Sequence, residues 1–364
     1  VGSEMCIRDR IEADDFHRAR KGCIEMMFTE VEHQRNGLDL IKVDNDQAKI
    51  IFSNFGARIV SWKYEDNNIV LGNVVEADEY YHENPYYFGA SVGRFGGRIE
   101  DGRFELEGKT YQLEQNDPPH HLHGGFHGIN KHYFDYEIKD DNGGYIQIIF
   151  TTTVKSADDH YPGDIKLKII HTYDIDNRWT IEYSAEATET TLFNPTNHVY
   201  FNLNRDNKEV NNHILTSSTL KMHLLNDKNL PTLNDNVDLI QVLGKQSMRF
   251  EDIGKAEDER LHAQIERYHG LDHPFTIGDE LTVENSQFLL KMKTDMPHVV
   301  IFTFNETSNW ESDMNIYKPH SGFTLEAQCL PNDINLLGEE APSILRKGDT
   351  FFSKTTYQII EKSE

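Results

Sequence analysis

The run Tyr145-Ile146-Gln147-Ile148-Ile149-Phe150 decides the fold class of this 364-residue chain. Its apolar residues are β-branched or aromatic and alternate in part with polar ones, a pattern typical of a β-strand. Runs of the same kind follow at residues 166–170 and 179–183, and turn clusters at residues 140–144 and 174–177 bound them. Because strands do not alternate regularly with helices, we predict an all-β protein built as a single large antiparallel β-sandwich.

Helical periodicity is scarce along the chain, and the best helix candidate is the charged stretch 252–267. Residues 1–26 carry mixed charges without a clear period, and we interpret them as a non-native extension or as an ordinary disordered or helical tail. No linker divides the rest, so residues 27–364 are predicted to form one β-sandwich domain.

The charge balance limits the classes of partner. The chain has 36 Lys and Arg against 61 Asp and Glu, a formal charge of −25, which repels nucleic acid and anionic membranes and leaves a small neutral substrate unhindered. Three cysteines are too few for a disulfide framework or a cysteine-based zinc site, and they fit a reducing compartment. Because we find neither a secretory signal nor a membrane-spanning run, we expect a cytoplasmic protein.

Two motifs match known signatures but lack the sequence context that each signature requires. Gly89-Ala-Ser91-Val-Gly93 matches a nucleophile elbow, but the glycines at 96 and 97 oppose the helix that such a serine needs, so a hydrolase is disfavoured. His120-His121-Leu-His123 suggests a metal site, yet no third ligand motif accompanies it, and we expect no metal. His120 and His121 suit a loop at a strand end, whereas His123 precedes two glycines that let a ligand approach closely.

Three further features point to acid–base chemistry. His198 lies among apolar and amide residues, where the pKa of an imidazole can be tuned for proton transfer. Glu326 lies in a stretch that looks like a buried strand, where a carboxylate is costly unless it is paired or functional. Asp272 stands beside a turn, in Gly270-Leu-Asp272-His273-Pro. Taken singly, each of the three also fits a structural role.

Together these residues closely resemble the aldose 1-epimerase (galactose mutarotase) family, whose motifs run in order from about residue 54 to about residue 356. The strings that carry the resemblance are Pro85-Tyr-Tyr-Phe-Gly89-Ala-Ser-Val-Gly93-Arg94-Phe-Gly-Gly97-Arg98-Ile99, His121-Leu-His123-Gly-Gly125, Tyr161-Pro-Gly163, Asn197-His198-Val-Tyr200-Phe-Asn-Leu203, Gly270-Leu-Asp272-His273, Pro319-His-Ser-Gly322 and Glu326.

The resemblance implies a galactose mutarotase-like β-supersandwich with an open sugar cleft. It implies that Glu326 is the general base, as carboxylate, and that His198 is the general acid, as imidazolium. It makes His123 the second active-site histidine and gives Asp272 and Arg98 the task of holding sugar hydroxyls. The expected reaction is anomer interconversion of free hexoses such as galactose and glucose, without a cofactor, by a monomer or a homodimer.

Some questions stay open at this point. The family usually has Asn at the position of Gly97 and often has a sugar-contacting Gln at the position aligned with Val300, so the preferred aldose is undecided. One alternative is an epimerase for a phosphorylated hexose, and the basic residues that could serve it are Arg94, Arg98, Arg103 and Lys131. Another is a non-catalytic carbohydrate-binding protein, although Glu326 and His198 are both retained.

The candidates for packing a sugar face are Trp62, Phe126 and Tyr200, with core packing the stronger interpretation for Trp62.

Overall fold

The computed structural model describes residues 27–72, 85–141, 143–205, 208–305 and 317–362. The predicted N-terminal extension, residues 1–26, lies outside the described residues, so the domain boundary at residue 27 stays a prediction. Antiparallel strands make up most of the described chain. In chain order they are β1 (Phe28–His33), β2 (Asp39–Asp44), β3 (Ala48–Ser53), β4 (Arg58–Tyr64), β5 (Asn67–Asn68), β6 (Ser91–Val92), β7 (Arg98–Ile99), β8 (Arg103–Leu106), β9 (Lys109–Gln112), β10 (His121–Leu122), β11 (Asp135–Asp140), β12 (Tyr145–Val154), β13 (Ile165–Asp174), β14 (Arg178–Ala187), β15 (Thr191–Leu192), β16 (Thr196–Asn197), β17 (Tyr200–Phe201), β18 (Ile214–Ser217), β19 (Leu220–Leu225), β20 (Pro231–Asp238), β21 (Ser247–Arg249), β22 (Asp272–Ile277), β23 (Leu281–Glu284), β24 (Phe288–Thr294), β25 (His298–Phe302), β26 (Phe323–Thr324), β27 (Glu326–Gln328), β28 (Ile344–Leu345) and β29 (Thr350–Glu361).

The run at residues 145–150 lies in the largest sheet, which has nine strands in the order β11-β12-β13-β14-β29-β24-β23-β18-β21. Ile146, Ile148 and Phe150 are buried on one face of β12, and the polar residues between them lie on the other. This is the alternation expected of a strand with one face against the core. The predicted all-β, antiparallel class is confirmed.

A smaller sheet, in the order β20-β19-β22-β25-β27, forms the surface beneath the candidate site. In its register, Pro274 of β22 lies opposite Val300 of β25, and Val300 lies opposite Glu326 of β27. Asp272 lies two residues from Pro274 and therefore faces the same side. The pairing of three strands that are distant in the sequence thus brings Asp272 and Glu326 to one face.

The α-helices of the described residues are short: α1 (Ser156–Asp159), α2 (Leu239–Leu243), α3 (Phe250–Ile253), α4 (Glu259–Tyr268) and α5 (Asp333–Leu337). The prediction of one helix over residues 252–267 is wrong, because α3 and α4 are separate. The Asp258 side chain accepts from the backbone N–H groups of Arg260 and Leu261 and so begins a new helix there. In the part of the chain that the structure describes, none of the helices has the length and apolar character that a membrane crossing needs.

A buried ion pair joins the site-bearing loops to the main sheet. Arg94 is fully buried and donates to both carboxylate oxygens of Asp159, with Nε–Oδ2 at 2.7 Å. Its guanidinium also donates to the carbonyl of Pro162 and the hydroxyl of Thr191. Every contact satisfies a donor that has no access to water, so the pair fixes this part of the fold.

Asp159→Asn is expected to lower the free energy of unfolding by about 3–5 kcal/mol, because it leaves the Arg94 guanidinium buried without a counter-charge. Urea unfolding followed by fluorescence measures this loss. The matched control is Asp235→Asn, which removes an ion pair between two exposed side chains, Asp235 and Arg260. That control should change stability by less than about 1 kcal/mol. Equal effects of the two substitutions would show that the buried pair does not carry the stability assigned to it.

Candidate active site

A cleft opens over the smaller sheet and encloses about 850 Å³, part of it open to solvent. All five site residues predicted from the sequence lie in its wall, namely Arg98, His123, His198, Asp272 and Glu326. They come from segments spread over more than half of the chain. The other lining residues are Pro85, Tyr86, Tyr87, Gly97, Leu122, Tyr200, Leu225, Asn229, Pro231, Pro274, Val300, Phe302, Gln328 and Pro331.

His198 is held by the backbone of the segment around Gly89. Its N–H donates to the carbonyl of Ala90 at 2.8 Å, and its own carbonyl accepts from the N–H of Gly89 at 3.0 Å. The neighbouring Asn197 amide donates to the carbonyl of Gly89. Gly89 has φ 66°, and a Cβ there would come within 1.8 Å of the carbonyl oxygen of Ile59. Only glycine fits this close approach, so the segment presents His198 in one place.

Glu326 begins β27 and is buried. The Thr324 hydroxyl donates to its Oε1 at 2.8 Å and restrains the carboxyl group. The same Oε1 lies 3.7 Å from Nε2 of His198. A buried acid and a buried imidazole therefore lie next to each other in the cleft wall. A small shift of either side chain, or one hydroxyl group that bridges them, would allow proton transfer between them.

Burial sets the protonation of this pair. It raises the pKa of Glu326 to about 8, against the opposing hydrogen bond from Thr324, and it lowers the pKa of His198 to about 4. These shifts describe the free protein, and the assigned roles of Glu326 as carboxylate base and His198 as imidazolium acid stay predictions. Both charged forms lose hydration in the cleft wall, so burial favours the uncharged carboxyl group and the uncharged imidazole.

His123 presents a fixed tautomer to the cleft. The N–H of Gly97 donates to its Nδ1 at 3.1 Å, which makes Nδ1 an acceptor and places the ring proton on Nε2. Burial lowers the pKa of His123 well below its ordinary value, so the ring is neutral. Gly124 follows with φ 86°, where a Cβ would lie 1.8 Å from the carbonyl oxygen of Gly93. His123 is thus a neutral hydrogen-bond donor aimed by a tight turn.

The donor atoms of His123, His198 and Glu326 lie within 4.8 Å of one another, close enough to hold a metal ion. Metal-binding histidines donate their second ring N–H to an acceptor. In His123 the second nitrogen instead accepts from the Gly97 N–H, so a metal on Nε2 would leave the ring without a proton. This arrangement disfavours a divalent metal, and the absence of a metal stays a prediction from the sequence.

Arg98 and Asp272 form the polar end of the cleft. The Arg98 Nε donates to Asp117 Oδ2 at 2.6 Å, and Asp272 interacts electrostatically with the same guanidinium. The N–H of Asp272 donates to Nδ1 of His273, whose Nε2–H donates to Gln264 at 2.9 Å. Burial raises the pKa of the Asp272 carboxyl, and Arg98 opposes that shift. One guanidinium and two carboxyl groups therefore meet at this end, which is rich in hydrogen-bonding groups.

His120 and His121 lie outside the lining and have structural partners. The Nδ1–H of His121 donates to the carbonyl of Glu114, and its Nε2 accepts from the Tyr161 hydroxyl. His120 accepts from the N–H of Asp101 and donates to the carbonyl of Lys228. His121 begins β10 and His120 precedes it, and their contacts give both residues a structural role at a strand end.

The three aromatic residues that were candidates for packing a sugar face lie in different environments. Trp62 is completely buried in the core, and Phe126 is 54% exposed and outside the cleft wall. Tyr200 lines the cleft, with its ring centroid 5.0 Å from that of His198. A fourth ring, that of Tyr87, contacts both cleft histidines and was not predicted from the sequence. Ser91 is buried in β6 and bonds to Tyr183, which agrees with the rejection of a hydrolase.

The two departures from the family pattern both lie in the cleft wall. A Cβ at Gly97 would come within 2.8 Å of the Pro331 ring, so Pro331 closes the space that an Asn side chain would enter. Val300 lies between Pro274 and Glu326 and makes this part of the floor apolar. Fewer side-chain hydrogen bonds are thus available to distinguish one sugar hydroxyl from another.

Comparison with known proteins gives a consistent result. The sequence profile of a family described as aldose 1-epimerase matches residues 39–358. The galactose mutarotase of Rattus norvegicus is 28% identical over 349 residues, 92% of this chain and 97% of its own length. The maltose epimerase of Levilactobacillus brevis is 30% identical over 274 residues, 70% of this chain and 74% of its own length. The crystal structure of galactose 1-epimerase from Lactobacillus acidophilus has the same fold, with TM-score 0.79 and 24% identity over 93% of this chain and 99% of that one.

Proposed function

Because the chain belongs to the aldose 1-epimerase family, we propose that it interconverts the α and β anomers of free galactose and glucose, with Glu326 and His198 as the catalytic pair. The protein is an isomerase that acts on hexose anomers. The observation that carries the residue assignment is the 3.7 Å separation of His198 Nε2 and Glu326 Oε1 in the wall of a cleft that opens to solvent.

The reaction requires two proton transfers and no redox change. Ring opening removes the proton of the C1 hydroxyl and delivers one to the ring oxygen, while the bond between C1 and the ring oxygen breaks. Rotation about C1–C2 then presents the other face of the aldehyde, and ring closure reverses both transfers. One acid–base pair that holds one proton therefore completes the cycle unchanged.

The uncharged forms of Glu326 and His198 that burial favours are the forms in which ring opening leaves the two residues. In the proposed assignment a Glu326 carboxylate takes the C1 hydroxyl proton and a His198 imidazolium protonates the ring oxygen. Ring opening leaves Glu326 protonated and His198 neutral, the state that burial favours. We infer that hydroxyl groups of the cyclic sugar, by donating to the Glu326 carboxylate, offset its lost hydration and allow the proton to pass to His198.

His123, Arg98 and Asp272 would orient the sugar. The Nε2–H of His123 suits the ring oxygen or a neighbouring hydroxyl as acceptor. Arg98 offers donors and Asp272 acceptors to further hydroxyls, each hydrogen bond to a charged group contributing roughly 1.5–3 kcal/mol. These residues fix the geometry in which the catalytic pair reaches C1.

The cleft supports a neutral sugar over a phosphorylated one. Of its described lining residues Arg98 is the sole cation, and Asp117 and Asp272 already face it. Arg94, a candidate for the phosphate reading, is buried with Asp159 outside the cleft. A phosphate group would thus meet no unbalanced positive charge.

Polarimetry of freshly dissolved α-galactose, α-glucose, xylose and arabinose tests the proposal. We expect catalytic relaxation of the rotation for the hexoses, and a lower kcat/KM for glucose 6-phosphate than for glucose. Faster turnover of the phosphorylated sugar would favour the alternative epimerase. Calorimetric binding of galactose without any acceleration would favour the non-catalytic binding protein.

The pH dependence of kcat/KM reports the protons held by the free pair. Below about pH 4 His198 gains a proton and the pair lacks a base; above about pH 8 Glu326 loses its proton and the pair lacks an acid. We therefore expect a broad plateau between limbs near these two values. A plateau confined to pH 4.5–6.5, between the ordinary pKa values of Glu and His, would contradict the assigned protonation.

We also propose a cytoplasmic location, which the free and buried Cys329 supports. The expectation of a monomer or a homodimer stays a prediction from the sequence.

A further inference from the structure

Tyr87 packs against both histidines of the cleft. Its ring centroid lies 4.8 Å from that of His123 at an interplanar angle of 65°, and 5.7 Å from that of His198 at 30°. The two imidazoles are 5.1 Å apart and nearly perpendicular. Of the aromatic side chains in the described residues, Tyr87 is the one that contacts both rings, so the three form a single cluster at the cleft wall.

The backbone of Tyr87 is held in an unusual conformation. Its φ is 58°, in the left-handed region that strains a residue with a side chain such as tyrosine. The carbonyl of Tyr87 accepts from the N–H of Ala90 at 2.9 Å, which closes a turn. The same turn contains Gly89, whose N–H and carbonyl bind His198 and Asn197. One rigid turn therefore places both the Tyr87 ring and the histidine that it covers.

Core packing does not account for this strain. Tyr87 is only partly buried and borders the cleft, whereas the neighbouring Phe88 is buried in an apolar cluster. Strained residues that persist at the edge of a site often serve its geometry. We propose that Tyr87 is a positioning residue, whose ring holds the imidazoles of His123 and His198 toward the cleft and keeps water from them.

This inference rests on the proposed function, since it concerns the acid–base groups of that reaction. The Tyr87 ring is proposed to act by excluding water from the imidazoles of His123 and His198. Burial is the main cause that lowers the pKa of both histidines, and the Tyr87 ring supplies part of that burial. Burial also raises the pKa of the Tyr87 hydroxyl to about 12, so it stays neutral beside the histidines. The titratable and charged groups that face this cluster are Arg98, Asp117, His121, Tyr200 and Glu326.

Tyr87→Leu removes the ring and Tyr87→Phe keeps it, so the two variants separate the ring from the hydroxyl. We expect the Leu variant to lose about 10-fold or more in kcat with KM changed less than about threefold, because the histidines lose their alignment rather than the sugar its contacts. The Phe variant should recover kcat to within about threefold of the parent. Tyr145→Leu, at an exposed strand position 39% accessible to solvent, is the control and should leave kcat unchanged.

Histidine titration by NMR gives a readout that does not depend on catalysis. In Tyr87→Leu the pKa of His198 should rise from about 4 toward its ordinary value, and in Tyr87→Phe it should stay low. Should the Leu variant fail to fold, Tyr87→Met replaces it. A Leu or Met variant with parental kcat and an unchanged histidine titration overturns the inference, and so does a Phe variant as impaired as Leu. A parent protein that does not accelerate anomerisation refutes the proposed function, while the titration still decides the role of Tyr87.

Discussion

Glu326→Gln is expected to cut the rate of anomerisation by about 10²-fold or more while the protein stays folded. The amide keeps the size of the side chain and can still accept from the Thr324 hydroxyl, which donates to Oε1 at 2.8 Å in the parent. It can neither take nor return a proton. Burial raises the pKa of Glu326 to about 8, so the parent side chain is already neutral at pH 7 and the amide replaces it without a new desolvation cost.

The rate is measured by polarimetry of fresh α-galactose, and folding by thermal unfolding of the same samples. Glu284→Gln serves as the control, because Glu284 forms an ion pair with Lys362 at the surface, outside the cleft lining. Parental relaxation in Glu326→Gln would show that another group is the base.

His198→Gln is expected to cut the rate by a similar factor, about 10² to 10⁴-fold. The imidazole is the second site for the shared proton, and an amide cannot accept one at neutral pH. KM should change less than kcat, since the sugar contacts assigned to Arg98, Asp272 and His123 remain.

Saturation kinetics, followed by NMR of the anomeric protons, determine kcat and KM of the His198→Gln variant separately. The control is His262→Gln on the exposed face of α4, which should match the parent. A His198→Gln variant that loses affinity but keeps kcat would make His198 a sugar-binding residue rather than the acid.

The strands, and residues that the structure places in the cleft wall, could be predicted from the sequence for definite reasons. The run at 145–150 carries its own alternation, and β12 follows from it. Glu326 was recognisable because a carboxylate in an apolar strand is costly, and His123 because two glycines follow it. Pairing of β22, β25 and β27 then brings Asp272 and Glu326 together, which no local pattern specifies.

Other properties depend on the assembled fold. The pKa shifts of Glu326 and His198 could not be predicted, because burial by residues far along the chain sets both pKa values. The single helix over 252–267 was wrong because the cap at Asp258 divides it. Tyr87 was missed because its value lies in contacts with His123 and His198, 36 and 111 positions away in the sequence.

The central claim is that Glu326 and His198 act as one unit on one shared proton. The double variant Glu326→Gln/His198→Gln, measured beside both single variants at saturating galactose, tests this most directly. Residues that act as a unit are strongly non-additive, so we predict that the double variant is about as slow as the slower single variant. A loss equal to the product of the two single losses would mean that the residues act independently and would contradict the account.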